Sequence, residues 1–303
     1  MLSKEDLNLA KEEVIALTRS DYEIHDNLLI ASTDKKLEKR LGYTHYIMQW
    51  LFTAESLDEV RAFDWEKHYD QSFCVRGGDE KEIAKIIWKS LKKPNVDLEN
   101  PGSRFEFFFV DKKIICGLFL AETDKSYLER KAHLRPALHP TSLHPRLARA
   151  CINLSGVEQG TLLDPFCGSG GILIEAGFMG YEINGYDIDD EMLERCLVNL
   201  DYYGLKANLK KKDATKNIEK VDVIVTDLPY GKNSKVSQAN LMKLYLEFLK
   251  SAGKICRNMV VIFPSSTPYG KIIEKTRWEK QKEFSIYIHK NLKKKITLLK
   301  NRA

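Results

Sequence analysis

From Leu147 to Phe263 the chain alternates apolar runs with helical stretches, and this alternation constrains the fold more than any other feature. Leu147 to Leu154 reads as a helix, Thr161 to Phe166 as an apolar strand and Ile172 to Met179 as a helix. Glu182 to Tyr186 is a second strand, Glu191 to Tyr202 a helix and Lys206 to Lys211 a third strand. Val221 to Thr226, a helix over Ala239 to Ala252, and Met259 to Phe263 complete the series. Strands joined by helical crossovers run parallel, so the pattern predicts an α/β fold with a doubly wound sheet. Glu283 to His289 and Leu292 to Leu299 alternate polar and apolar residues around Lys290 and Asn291. That spacing predicts a hairpin on an antiparallel edge.

The first half is built of smaller pieces, an α+β pattern. Residues 6 to 18 place Leu9, Val14 and Leu17 near one helical face. Tyr22 to Ala31 reads as two short strands around Asp26-Asn27, and Lys35 to Leu41 as a short helix stopped by Gly42. Thr44 to Phe52 is a strand, and Ser56 to Phe63 a helix with Ser56 and Glu59 at capping-box spacing. Ser72 to Arg76 is a strand, Asp79 caps a helix over Glu82 to Leu91, and Arg104 to Val110 and Ile114 to Ala121 are strands. Thr123 to His144 is polar and carries Pro136 and Pro140, with Pro145 just beyond it, which reads as a linker. Its His133, Arg135, His139 and His144 lack the spacing and the carboxylates of a metal site.

Composition narrows the class. The chain has 303 residues, enough for about two domains. No apolar run approaches the ~18 residues of a membrane span, and the charged start, Met1 to Asn8, has no signal core, so a cytoplasmic protein is expected. The six cysteines show no paired spacing, which speaks against disulfides and zinc. Net charge is +5, a mild basic bias compatible with a polyanionic partner. From Lys271 to Ala303 eleven Lys and Arg face three Glu, a solvated face or an anion-binding one.

Four features, in order, each end a strand. Gly168, Gly170 and Gly171 form a tight loop before a helix, without the Lys of a phosphate-binding loop or the full dinucleotide fingerprint. Asp187 closes the second strand, where a carboxylate can accept from both hydroxyls of a ribose. Asp213-Ala214 follows the third strand, in reach of an adenine amine. Asp227-Leu228-Pro229-Tyr230-Gly231 follows the fourth. There a carboxylate, a carbonyl held by Pro229 and a Tyr ring suit a planar substrate bearing an exocyclic amine. Each acid alone is commonly a cap or a solvated loop residue. The series of four points to a nucleoside site.

Residues 146–303 resemble a class I, Rossmann-like, S-adenosylmethionine-dependent methyltransferase of the amino-methylating group. The resemblance is carried by Asp164-Pro165-Phe166-Cys167-Gly168-Ser169-Gly170-Gly171 and by Asp227-Leu228-Pro229-Tyr230, where the family's usual form is Asp/Asn-Pro-Pro-Tyr and Leu228 replaces the first Pro. It implies cofactor contacts from Asp164, Phe166, Gly168, Gly170, Gly171, Asp187, Ile188, Asp213, Ala214 and Asp227, and catalysis by Asp227, Leu228, Pro229 and Tyr230. Phe73-Cys74-Val75-Arg76 and the helix-strand-strand after it resemble a THUMP RNA-binding domain. Arg130 to Pro136 and His139 to Arg149 resemble the linker and motif of archaeal tRNA guanosine-10 N2-methyltransferases. The implied layout is a ferredoxin-like subdomain over 1–68, a THUMP core over 69–123, a linker over 124–145 and the catalytic domain over 146–303. Met1 stands where the family's first strand would end, so the ferredoxin-like part is expected to lack an edge strand. The implied partner is tRNA, with no metal and no membrane, and Lys293 to Lys295 would contact phosphate. Three readings compete with it: a related enzyme acting on another tRNA or rRNA guanosine, a DNA amino-methyltransferase, and a non-catalytic tRNA-binding protein.

Overall fold

The computed structural model describes residues 1–140, 142–230, 238–289 and 292–302. Gly231 and the Lys290-Asn291 turn lie outside them. The chain divides into two compact units. The first comprises Met1–Leu7, Ser20–Lys39 and Thr44–Thr123, and the second Asn8–Arg19, Arg40–Tyr43 and Asp124–Ala303.

Helix α1 (Leu7–Thr18) therefore falls almost wholly in the second unit. Its Glu13 explains how. The carboxylate is buried and accepts from the backbone N–H of Gly42 and of Tyr43, each at 2.8 Å, and from Asn153 Nδ2 at 2.8 Å. The helix expected over Lys35 to Leu41 is absent; only a turn at 38–40 occurs there. Backbone donors just beyond that turn go to Glu13, and the Arg40 guanidinium goes to Asn153 Oδ1 (2.9 Å) and the Glu158 carbonyl (2.9 Å). The segment is drawn out by these partners and does not close on its own carbonyls.

In the first unit β1 (Tyr22–His25) and β2 (Leu28–Ala31) pair antiparallel. β3 (Tyr46–Ala54), α2 (Leu57–Ala62), β4 (Phe73–Arg76), α3 (Glu80–Ser90), β5 (Ser103–Val110) and β6 (Lys113–Glu122) follow. Among the described residues they form a sheet in the order β3-β6-β5-β4, parallel only between β4 and β5. The caps read from sequence hold: Ser56 Oγ accepts from Glu59 N (3.4 Å) and Asp79 Oδ1 from Glu82 N (3.0 Å). Trp65, Phe73, Phe105, Ile83 and Ile87 fill the space between sheet and helices.

The second unit continues with α4 (Pro145–Leu154), β7 (Thr161–Asp164), α5 (Gly171–Phe178), β8 (Glu182–Asp187), α6 (Asp190–Tyr202), β9 (Ala207–Lys211) and β10 (Val223–Asp227). α7 (Gln238–Ala252), β11 (Asn258–Pro264), α8 (Gly270–Ile273), β12 (Trp278–His289) and β13 (Leu292–Asn301) complete it. The sheet order is β12-β13-β11-β10-β7-β8-β9, parallel from β11 to β9 and antiparallel at β13 and β12. β10 and β11 are apolar along nearly their whole length because helices cover both faces. β12 begins five residues earlier than the alternation predicts. A register shift between Lys280 and Lys282 breaks its period, while Trp278 is buried and donates to the Leu249 carbonyl at 2.8 Å.

Residues from Asp124 onward belong to the second unit, and the stretch read as a linker is packed into it. Arg130 is buried and donates to both oxygens of buried Glu175, at 2.7 and 3.0 Å, and Arg149 reaches the same carboxylate at 3.4 Å. Arg135 is buried as well, on the Arg130 carbonyl (2.8 Å) and Ser142 Oγ (2.7 Å). His144 Nδ1 accepts from Arg146 N at 3.2 Å and caps α4.

Candidate active site

The acidic positions of the sequence series lie along one edge of the parallel sheet. β10 ends on Asp227, β7 on Asp164 and β8 on Asp187, and Asp213 stands two residues past the end of β9. These strands are neighbours and parallel, so all four residues share the carboxyl edge. From β7 the chain steps outward through β8 to β9, then returns to the other side of β7 with β10 and β11. Such a reversal opens a crevice at the strand ends, the usual ligand site of open α/β sheets.

Between β7 and α5 the loop needs its glycines for different reasons. Gly168 and Gly170 have φ of +49° and +87°. A Cβ on Gly168 would meet nothing within 4 Å, so its backbone borders open space, whereas one on Gly170 would lie 2.8 Å from Cys196 Sγ. At Gly171 it would lie 2.6 Å from Ser142 Oγ. The Gly168 N–H donates to Asp187 Oδ2 at 2.9 Å and the Asp189 N–H to Oδ1 at 3.1 Å. A carboxylate oxygen accepts more than one bond, so Asp187 keeps capacity for two hydroxyls. Ile188 beside it is 70% exposed, an uncovered apolar side chain at the strand end. Asp213 accepts from Thr215 N (2.9 Å) and Oγ1 (2.7 Å), and these bonds hold its carboxyl below the usual range. Ala214 is buried in the core, and Phe166 packs edge-on to Phe248 at 5.2 Å.

Asp164 faces inward. It is 2% exposed and accepts from Thr226 Oγ1 at 2.6 Å and from Phe166 N at 3.2 Å. Burial pushes its carboxyl up to about 7, against the pull of those two bonds. Its carboxyl shapes the loop and joins the ends of β7 and β10.

At the end of β10, Asp227 is bound on both oxygens. Lys294 Nζ lies 2.5 Å from Oδ2, and the Tyr230 hydroxyl donates to Oδ1. Burial pushes the Asp227 carboxyl up, and the Lys294 ammonium is the first influence opposing it. Burial and the Asp227 charge push the Tyr230 hydroxyl far up, so it stays a neutral donor. Pro229 is exposed, and its carbonyl accepts from the hydroxyl of buried Tyr245. Burial, then the Asp227 charge, pushes that hydroxyl up to about 12.

Among known proteins, the sequence profile described as an RMKL-like methyltransferase domain matches residues 132–294, and one described as DNA methylase matches residues 5–198. The second stops short of Asp227. A tRNA (guanine(10)-N2)-dimethyltransferase of Methanothermobacter thermautotrophicus is 35% identical over 92% of this chain and 88% of its own length. The protein of the same name from Pyrococcus abyssi is 33% identical over 85% of each. The chain belongs to the tRNA (guanine(10)-N2)-dimethyltransferase family. The fold is also that of TrmN from Thermus thermophilus, at a TM-score of 0.50 and 22% identity over 99% of this chain and 97% of that one.

Against the Asp/Asn-Pro-Pro-Tyr form usual in the amino-methylating group that the sequence resembles, Leu228 is the departure, and the structure gives it a use. Its N–H donates to the Ile262 carbonyl at 3.1 Å, which carries the β10–β11 ladder one bond further. A proline there has no donor to offer. Its side chain is 1% exposed and packs in the core. Thr226 and Tyr245 escaped the sequence reading, and Lys294 was assigned a different role there. Lys294 carried a usable signal, because it stands two residues before Ile296 and so shares a face with a buried apolar residue. The expectation that it contacts phosphate is overturned, since its ammonium sits on Asp227. Lys295 pairs with Glu283 at 2.8 Å, and Lys293 is exposed. Among the described residues no helix is long and apolar enough to cross a membrane, and no group of three or more His, Cys, Asp or Glu is placed to hold a metal ion.

Proposed function

We propose that this chain transfers methyl groups to the exocyclic N2 of a guanosine in tRNA, at position 10, giving N2-methylguanosine and N2,N2-dimethylguanosine. The observation that carries the reading is a half-buried, ion-paired carboxylate, Asp227, at the switch-point edge, followed by Leu228, Pro229 and Tyr230. Two relatives that cover most of the chain bear the name of that reaction.

S-adenosylmethionine is the proposed donor, and it supplies a methyl group on a sulfonium. The open space beside Gly168, the spare acceptor capacity of Asp187 and the exposed Ile188 fit its nucleoside part. Asp213 and Ala214 would border the adenine, and Gly170, Gly171, Asp164 and Phe166 shape the loop that carries Gly168. Asp227 and the Leu228 carbonyl would accept from the two N–H bonds of the substrate amine. That localises a lone pair otherwise shared with the ring and aims it at the methyl group. The nitrogen would gain a bond to carbon as the methyl carbon–sulfur bond of the donor breaks and a neutral thioether leaves; the positive charge passes to nitrogen, and its proton leaves by way of Asp227 to solvent. Tyr230 would stack on the base. A guanosine in folded RNA must first leave its stack, at about a few kcal/mol. The first unit, read as a THUMP-containing region, would bind the RNA.

Nucleoside mass spectrometry of unmodified tRNA transcripts, incubated with the protein and S-adenosylmethionine beside duplex DNA, tests this reading. N2-methylated guanosine in tRNA is expected. Methylated adenine or cytosine in DNA, or no product in either, would refute it.

A further inference from the structure

Asp227 has a partner that the catalytic tetrapeptide does not contain. Lys294 Nζ lies 2.5 Å from its Oδ2 and 4.9 Å from the centroid of the Tyr230 ring. Lys294 comes from β13, an antiparallel strand two places removed from β10. Its position follows from register. Asp227 pairs with Ile262 and Ile262 with Ile296, so the three share one face of the sheet. Lys294 is two residues from Ile296 and shares that face by the period of a strand. Its side chain is 5% exposed. An ammonium is costly to bury without a counter-charge, and so is a carboxylate. Each of these groups therefore depends on the other.

The occupancy of the carboxylate has a consequence for catalysis. Oδ2 is held by Lys294, and Oδ1 by the Tyr230 hydroxyl, which hangs on the ring proposed to stack on the base. For Oδ1 to accept from an incoming amine, the Tyr230 hydroxyl must give up its bond there, whereas Lys294 on Oδ2 need not move.

We propose that Lys294 is a positioning residue for methyl transfer, holding Oδ2 of Asp227 so that Oδ1 faces the incoming amine. This rests on the assignment of Asp227 to the substrate amine made above. A carboxylate so held accepts from the amine N–H, whereas a neutral acid in the same place presents a donor. Burial pushes the Asp227 carboxyl up, and Lys294 and Tyr230 pull it back. Asp164 on β7, Cys151 on α4 and Tyr245 on α7 are the other titratable groups that feel its charge.

The test compares Lys294→Met, which removes the charge and keeps most of the bulk, with Lys294→Arg, which keeps the charge. Single-turnover transfer to a tRNA transcript is followed across pH with the full chain saturated in S-adenosylmethionine. Cofactor affinity and thermal unfolding are measured beside it. Losing an opposite charge at this range raises a carboxyl by roughly 1–3 pH units. Lys294→Met should therefore lose roughly tenfold or more at neutral pH, with its acid limb moved to higher pH and part of the rate recovered there. Lys294→Arg should keep the wild-type profile, and both should bind the cofactor as the wild type does. If Lys294→Met does not fold, Lys294→Gln is read by the same criteria. Wild-type rate and profile without the charge would overturn the proposal. So would equal losses in the Met and Arg variants at every pH, the mark of packing alone. A wild-type protein that leaves guanosine N2 unmethylated would instead remove the functional reading itself.

Discussion

Thr226 donates its hydroxyl to Asp164 at 2.6 Å, and this buried bond ties together the carboxyl ends of the two strands between which the sheet reverses. The bond competes with burial, which leaves the Asp164 carboxyl at about 7 in place of 3.8. The folded chain thus binds this proton more tightly than the unfolded one. Its stabilising contribution is full below the unfolded value and is lost as pH rises through about 7. Asp164→Asn should erase this dependence, a relative change on the order of a few kcal/mol between acid and neutral pH. Urea unfolding across that range, wild type against variant, checks it; a constant difference would contradict it.

Glu175 carries two buried arginines, Arg130 and Arg149. Removing one member of a buried ion cluster strands the others and costs about 3–5 kcal/mol. Glu175→Ala should fall in that range by denaturant unfolding, and a loss below about 1 kcal/mol, the worth of a surface pair, would show the cluster to be dispensable.

Glu13 holds two backbone donors, Gly42 N and Tyr43 N, that have no helix to serve them. Each buried donor left unpaired costs about 1–3 kcal/mol. Glu13→Ala is therefore expected to destabilise by roughly 2–6 kcal/mol and to speed amide exchange at Gly42 and Tyr43. Unchanged exchange at these two amides would refute the role.

Gly170 combines a φ of +87° with Cys196 Sγ 2.8 Å from where a Cβ would stand. Gly170→Ala must strain the backbone and shift α6, so cofactor affinity should drop by at least about tenfold, roughly 1.4 kcal/mol. Calorimetric titration with S-adenosylmethionine measures this; wild-type affinity would mean that the loop does not form the cofactor site.

The parallel sheet was legible because β10 and β11 are buried on both faces and so read as plain apolar runs. The crevice acids were legible because each stands at the end of a strand or just past it. Other parts misled for physical reasons. Leu37 and Leu41 are both buried at helical spacing, yet backbone N–H groups just after them serve Glu13. Arg130 sits in a polar, proline-bearing stretch that looks solvated, and its partner Glu175 lies far along the chain inside α5. Lys294 was hidden between two lysines that do face outward or pair at the surface. A local pattern does not show a carboxylate 67 residues away.

The most direct measurement removes the atom that the account says is methylated. Two tRNA transcripts identical except at position 10, one with guanosine and one with inosine, which lacks the 2-amino group, are incubated with the protein and labelled S-adenosylmethionine. The account predicts that the guanosine transcript takes up methyl groups and the inosine transcript takes up none, and that Asp227→Ala slows the former by roughly 10²–10³. Equal incorporation into both transcripts would contradict it.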